Sequence, residues 1–359
     1  MNNPCPYLLP ESPLQLIDAQ TLFASGNRMR RHFGGLHTCQ SGRILLTFMH
    51  GTMPRTNDAG TMISHSDDNG GTWSPPRPLW AVPGWDSFPN GGACRISDDR
   101  IRLFIGQYRF TPDVGGKQPF DDGWHTRYID STDEGAHWTE PSADVKVFPS
   151  WTEFYGTSNP HPLSDGRLMW AVQGTQDRDA DWRVGVSFTD PAGSEFSPPI
   201  IYAQDDYFQY SDNDIVRLPD GRFLTVFREH MENGTFFSHS SDEGQTWTPF
   251  RPTGFRGANF RLFILRSGDV CCLYRDEDPS RYGTSISISK DGGENWHWVG
   301  SLYYQPNSNR HRPGYFCGCP DLVEAADGTL VAILHTYEDD DGEMCLHLLR
   351  LRDISQDVR

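Results

Sequence analysis

Ser240-Ser241-Asp242-Glu243-Gly244-Gln245-Thr246-Trp247 has the form Ser-x-Asp-x-Gly-x-x-Trp, and that form returns at Ser66 to Trp73, Ser131 to Trp138 and Ser289 to Trp296. Chance would supply roughly 0.01 such matches in a chain of this length and composition, so the four copies are a repeat. Each position has a physical reading. The serine and aspartate side chains bond the backbone of a tight turn, and the glycine allows a positive φ. The tryptophan buries an aromatic plate under the following strand. Such a unit joins two adjacent antiparallel strands and reads as scaffold.

Upstream of each copy lies an apolar run, a Gly, Asp or Ser turn, and a second apolar run. Clear instances are LHTCQSGRILLTFM (Leu36 to Met49), ACRISDDRIRLFIG (Ala93 to Gly106) and PHPLSDGRLMWAV (Pro160 to Val172). The others are DIVRLPDGRFLTVF (Asp214 to Phe227), FRLFILRSGDVCCLY (Phe260 to Tyr274) and DLVEAADGTLVAIL (Asp321 to Leu334). Each reads as a β-hairpin. Their turns fall roughly 47 to 67 residues apart, the size of one four-stranded propeller blade. The fold class is therefore all-β, a six-bladed β-propeller with four-stranded antiparallel blades in a single domain spanning 1–359. The blades are expected near 33–78, 84–140, 154–198, 209–250, 256–299 and 311–355. Blade three carries a worn box around Asp190, Gly193 and Phe196, and blade six carries none. Residues 14–23 precede the first hairpin and are expected to supply the outer strand of blade six, which removes an exposed edge.

Composition agrees with a turn-rich β protein: 359 residues include 35 Gly and 26 Pro, and 13% are aromatic. The net charge of −17 argues against nucleic acid or an anionic membrane as partner. No apolar run approaches membrane-spanning length. The start, Met-Asn-Asn-Pro-Cys-Pro-Tyr, has neither a basic n-region nor an apolar core, so a cytoplasmic location is expected. Eight cysteines without metal-ligand spacing read as buried reduced thiols. No cofactor is demanded, no loop spells a calcium site, and no metal ligands are assigned. Nothing in the sequence sets the oligomeric state.

In a propeller the residues just before each hairpin, and the loops leaving each second strand, meet at one rim of the channel, the default binding site. The boxes, repeated through a six-bladed propeller, resemble the sialidase (neuraminidase) superfamily over nearly the whole chain. That resemblance implies an exo-acting glycoside hydrolase cleaving a terminal, acidic sugar from a glycan. Three arginines would hold the sugar carboxylate, a tyrosine assisted by a glutamate would be the nucleophile, and an aspartate the acid/base.

Carried over residue by residue, the resemblance gives a candidate set. Blade one lacks the family's Arg-Ile-Pro, and counting back from Gly42 reaches His32, with Arg31 beside it and Arg30 next. In the loop HGTMPRTNDAGTMISHS, Asp58 matches the acid/base aspartate, and an Asn-Asp-Ala-Gly turn is its plainer reading. In YSDNDIVRLPDGRFLTVFRE, Arg228 matches the second arginine and Asp212 falls where the glutamate is expected. In RDEDPSRYGTS, Arg281 matches the third arginine, with Arg275 its competitor. In blade six the tyrosine's place is held by Cys319, with Tyr315 near by in the same loop. A cysteine would need a neighbouring cation to become a thiolate, and a small buried thiol is its plainer reading.

Without the tyrosine, a carboxylate pair drawn from Asp58, Asp212, Asp214, Glu229, Asp276 and Asp321 would still cleave a glycosidic bond. Trp85, Phe88, Tyr155 and Tyr210 are candidates for stacking on sugar or for packing between blades. Two further readings stay open. One is an exo-arabinanase-like hydrolase or a uronic-acid polysaccharide lyase, with His32, His161, His230 or His311 as base. The other is a glycan-binding propeller without catalysis.

Overall fold

The computed structural model describes residues 6–23, 30–52, 57–110, 120–147, 153–156, 158–175, 182–190, 192–204, 209–230, 234–304, 317–337 and 344–356. They form six antiparallel blades around a channel, built on a four-stranded plan of which blade two shows three strands (Asp86–Ser97, Arg100–Phe110 and Phe120–Ser131), and among the described residues there is no helix. Blade four is the plainest, with strands Tyr210–Arg217, Phe223–Glu229, Thr235–Ser240 and Arg251–Pro252 running from channel to exterior. Blade five repeats the order with Gly257–Ile264, Val270–Asp276, Gly283–Ser289 and His297–Tyr304. Blade six is Cys317–Glu324, Thr329–Tyr337 and Met344–Asp353, with Leu14–Leu22 paired on its outside. A single parallel bridge between Met344 and Arg30 ties blade six to blade one.

The N-terminal segment reaches further than the hairpin pattern implied. Tyr7–Leu8 adds a fifth strand to blade five, where Tyr7 stacks on Trp298 and Tyr304. Two dipeptide-scale pairings are too short to show any periodicity, so only the folded chain reveals them.

The second strand of each blade lies between other strands and between two neighbouring blades. It therefore carries apolar residues on both faces, and Leu168–Thr175 is buried at every position. The core sits between blades rather than inside them. Val216, Leu224 and Phe237 of blade four pack against Phe260, Leu262 and Tyr274 of blade five, for example.

The repeated box makes the same bonds each time. Around Asp242, the Ser240 hydroxyl donates to Asp242 Oδ1 (2.8 Å) and accepts from Gly244 N (2.8 Å). Thr246 N donates to the same Asp242 oxygen (2.8 Å), and Trp247 Nε1 donates to Gly244 O (3.1 Å). The box also docks on the preceding blade. A Cβ on Gly293 would lie 2.7 Å from Leu224 of blade four, and Glu243 accepts from Ser164 Oγ of blade three (3.0 Å). The worn box of blade three keeps its turn, with Asp190 Oδ1 accepting from Ser194 N (2.6 Å). Its Phe196 fills the tryptophan's place against Phe104 and Trp170.

Carboxylates staple the inner strands to one another. Asp214 of blade four accepts Leu262 N of blade five, and Asp321 of blade six accepts Leu36 N of blade one, both at 2.6 Å. Arg261 Nε lies 2.6 Å from Asp321 Oδ1 and pairs with that staple. Burial raises the pKa of both aspartates, against the pull of Arg261 and the backbone amides.

Candidate functional site

In blades four, five and six the inner strand breaks register at the same place, between Ser211 and Asp214, between Ala258 and Arg261, and between Gly318 and Asp321. Each break is a β-bulge containing one non-glycine residue with positive φ: Asp212 (55°), Asn259 (53°) and Cys319 (43°). Such backbone is costly for an L-residue and re-aims a side chain toward the channel. Opposite the residue before each bulge, the second strand places Arg228, Arg275 and His335 in blades four, five and six. Blade symmetry thus sets two guanidinium groups side by side at one rim.

Asp212 and Arg228 form the centre of the cluster. Arg228 Nε lies 2.8 Å from Asp212 Oδ2, and the two side chains are 14% and 13% exposed. Asn259 N, on the neighbouring bulge, donates to the same carboxylate oxygen (3.4 Å). Gln173 of blade three accepts the Asp212 amide. Arg228 Nη1 lies 3.3 Å from Glu277 Oε1, and Arg275 Nη2 lies 3.5 Å from that same oxygen. Asp212, Arg228, Glu277 and Arg275 are therefore one continuous network.

Electrostatics assign the protonation states. Burial alone would raise the Asp212 carboxyl, but Arg228, with His230 and Arg275, outweighs it and holds the pKa below the ordinary value. Asp212 is ionised at neutral pH. His230 packs one edge against this network and exposes the other; burial and the Arg228 charge lower its pKa to about 4. Its neutral ring bonds the Ser211 hydroxyl. Burial raises the Cys319 thiol to about 12 despite the nearby Arg275, so it is a protonated thiol and a poor nucleophile. Among the described residues no three His, Cys, Asp or Glu side chains gather as metal ligands would.

The structure brings together Asp212, Arg228 and Arg275 of the sequence candidates. Arg281 is turned away from them. Its Nε lies 3.3 Å from Asp276 and its Nη2 3.2 Å from Asp278, while the guanidinium lies over Trp298 of the outer strand. Asp58 lies exposed on the loop of blade one, across the ring from blade four, with its carboxylate bonded by Thr52 and its amide donating to Asp86 Oδ1 (3.0 Å). The backbone of Arg31 and His32 pairs with His50 and Met49; their side chains lie outside the described set. Tyr315 and His311 lie outside the described residues.

Most remaining candidates have structural employment. Asp214 and Asp321 are the inter-blade staples above. Asp276 is buried and accepts from Ser285 Oγ (2.7 Å) and Asp278 N (2.9 Å). Phe88 and Tyr210 are buried in aromatic clusters, and Trp85 packs edge-on to His125. His161 is held at a pKa of about 4 by burial and by Arg261. Glu277 was missed by sequence reasoning. Its signal was present: it follows Arg275 by two residues, and alternate residues along an extended chain share a face.

The sequence matches the BNR repeat-like domain family over residues 42–333. No curated protein matches it. Among solved structures, a protein of unknown function from Dyadobacter fermentans superposes with TM-score 0.78 at 16% identity, covering 95% of this chain and 99% of that one. The Trypanosoma rangeli sialidase superposes with TM-score 0.69 at 14% identity, over 93% of this chain but 59% of its own. The intramolecular trans-sialidase of Ruminococcus gnavus, in complex with oseltamivir carboxylate, does so with TM-score 0.67 at 13% identity, covering 90% and 94%. At such identities the likeness speaks for the fold. With boxes on five blades and a match across most of its length, this chain belongs to the BNR repeat-like domain family and is a sialidase-like six-bladed propeller.

Proposed function

We propose that this protein is a sialidase-like exo-glycoside hydrolase that cleaves a terminal acidic sugar from a glycan at the rim of blades four and five. The observation that carries the reading is the placement of Arg228 and Arg275 at equivalent strand ends of adjacent blades, beside an ionised Asp212. A planar guanidinium donates two parallel hydrogen bonds to a carboxylate, which lysine does not imitate. Two such forks one blade apart fix a sugar acid in position and orientation. Arg275, rather than Arg281, is the second arm of this clamp, because Arg281 braces Asp276 and Asp278.

Asp212 takes the role of the ionised carboxylate. It accepts the proton of the attacking group and offsets the positive charge that develops on the sugar ring in an oxocarbenium-like transition state. Tyr315 is the attacking group in this reading, and Asp58 of blade one is the acid that protonates the leaving oxygen. Arg31 or His32 adds the third contact to the sugar acid. A second route, with water attacking under Asp212 in place of tyrosine, is favoured by one observation: Cys319, where the tyrosine was expected, is protonated.

The test is turnover of a panel of aryl glycosides: an α-sialoside, a β-glucuronide and an α-arabinofuranoside. Arg228→Met and Arg275→Met are each expected to lose roughly 100-fold in turnover of the acidic substrates, while Arg281→Met stays within a few-fold of wild type. Loss of turnover in Tyr315→Phe separates the tyrosine route from the water route. Acidic-sugar turnover that survives both Arg228→Met and Arg275→Met removes the clamp reading, and silence on every substrate favours a binding propeller.

A further inference from the structure

We infer that Glu277 is the internal occupant of the anion seat: its carboxylate lies between Arg228 and Arg275, in the place that a sugar carboxylate takes. The inference rests on the clamp reading above and adds a specificity-determining residue to it.

Three observations carry it. First, one oxygen, Glu277 Oε1, straddles both guanidinium groups, at 3.3 Å from Arg228 Nη1 and 3.5 Å from Arg275 Nη2. A sugar carboxylate held by this clamp would meet the same two guanidinium groups. Second, both distances exceed the ~2.7–2.9 Å of a strong charge-assisted bond. Asp212 Oδ2 lies nearer, 2.8 Å from Arg228 Nε as an ion pair, while that Nε–H donates to Ser211 Oγ (3.4 Å). Asp212 is thus the closer partner of Arg228, and Glu277 the more distant one. Third, Glu277 begins the loop after the strand Val270–Asp276, with its amide bonded to Arg256 O at 3.3 Å. Among the described residues, the partners of its carboxylate are these two arginines. The backbone is anchored, and a side chain with three rotatable bonds swings out without unfolding the loop.

The consequence is a charge filter. Two arginines face two carboxylates, so the resting cluster is neutral. An incoming sugar acid that replaces Glu277 restores the same balance, and a neutral sugar has nothing with which to replace it. Competition with Glu277 weakens every acidic ligand, and only those with further contacts to the rim bind well.

Binding of sialic acid and glucuronic acid, each compared with its methyl ester, to wild-type protein and to Glu277→Gln tests this by titration calorimetry. Glu277→Gln keeps the shape and removes the charge. It is expected to tighten binding of both acids by about 10-fold while leaving the esters unchanged, so the acid-to-ester ratio rises. Glu277→Ala should move the ratio the same way, which guards against one variant folding badly. If the variants bind the acids more weakly, Glu277 positions the arginines and the inference fails while the clamp stands. If neither wild type nor variants bind the acids, the clamp itself is wrong and the inference falls with it.

Discussion

Replacing Arg228 with methionine removes the cation while retaining an unbranched side chain of similar length. Asp212 and Arg228 are 13% and 14% exposed, so the variant leaves a largely buried carboxylate without its nearest cation. Breaking a buried pair costs about 3–5 kcal/mol. Arg275 and the Asn259 amide still face Asp212, which puts this case near the lower end, about 3 kcal/mol. With an unfolding entropy of about 2.1 cal/mol/K per residue over 359 residues, that lowers the melting temperature by about 4 °C.

The pH dependence gives the sharper test. In the wild type the Asp212 pKa lies below its unfolded value, so its stabilising contribution is present above the unfolded value and is lost as pH falls through the folded one. In Arg228→Met burial dominates and the pKa rises above the unfolded value. The cost of the unpaired charge is then relieved as pH falls through that raised value. The stability gap between the two proteins is therefore expected to be widest at pH 7 and to narrow toward pH 4.5. Urea unfolding followed by tryptophan fluorescence at both pH values measures it. Arg228→Met combined with Asp212→Asn should recover part of the loss at pH 7. A gap that is absent at pH 7, or equal at the two pH values, refutes the assignment of Asp212 as a carboxylate kept ionised by Arg228.

Two further outcomes follow from the scaffold and the rim. Gly293→Ala meets both a φ of +101° and Leu224 at 2.7 Å, whereas Gly221→Ala meets a φ of +90° and nothing within 4 Å. The first is expected to lose about 3 kcal/mol and the second about 1 kcal/mol in urea unfolding, and equal losses would show that the box does not bear on the neighbouring blade. Cys319→Ser is expected to retain turnover within a few-fold, because its thiol is protonated at neutral pH; a loss approaching that of Arg228→Met would make Cys319 a participant in the chemistry.

The blade count and the box turns were legible because their determinants are local. A serine, an aspartate, a glycine and a tryptophan within eight residues specify a turn through bonds among themselves, and the folded chain makes those bonds. Alternation of apolar runs and turn residues marks hairpins for the same reason. The position of Arg228 near the end of a recognisable second strand was legible. Which of Arg275 and Arg281 lies beside Arg228 was not, since the two lie six residues apart and both precede a box. It depends on cross-strand register, which pairs Arg275 with Ala258 beside the bulge and turns Arg281 outward onto Trp298.

Asp212, Asp214 and Asp321 show where local pattern stops. Asp212 and Asp214 lie two residues apart in one strand and look alike in sequence. Asp212 sits in the bulge and Asp214 follows it in regular register, so one carboxylate meets Arg228 at the rim while the other is buried as a staple to blade five. Asp321 does in blade six what Asp214 does in blade four, across a separation of more than a hundred residues. The sequence by itself determined a six-bladed β-propeller with its turns, because hydrogen bonds within a few residues encode those. Tertiary structure decided which charges face one another, because an ion pair depends on strand register and on the neighbouring blade. Asp212, Arg228, Glu277 and Arg275 become one network only when the blades close side by side.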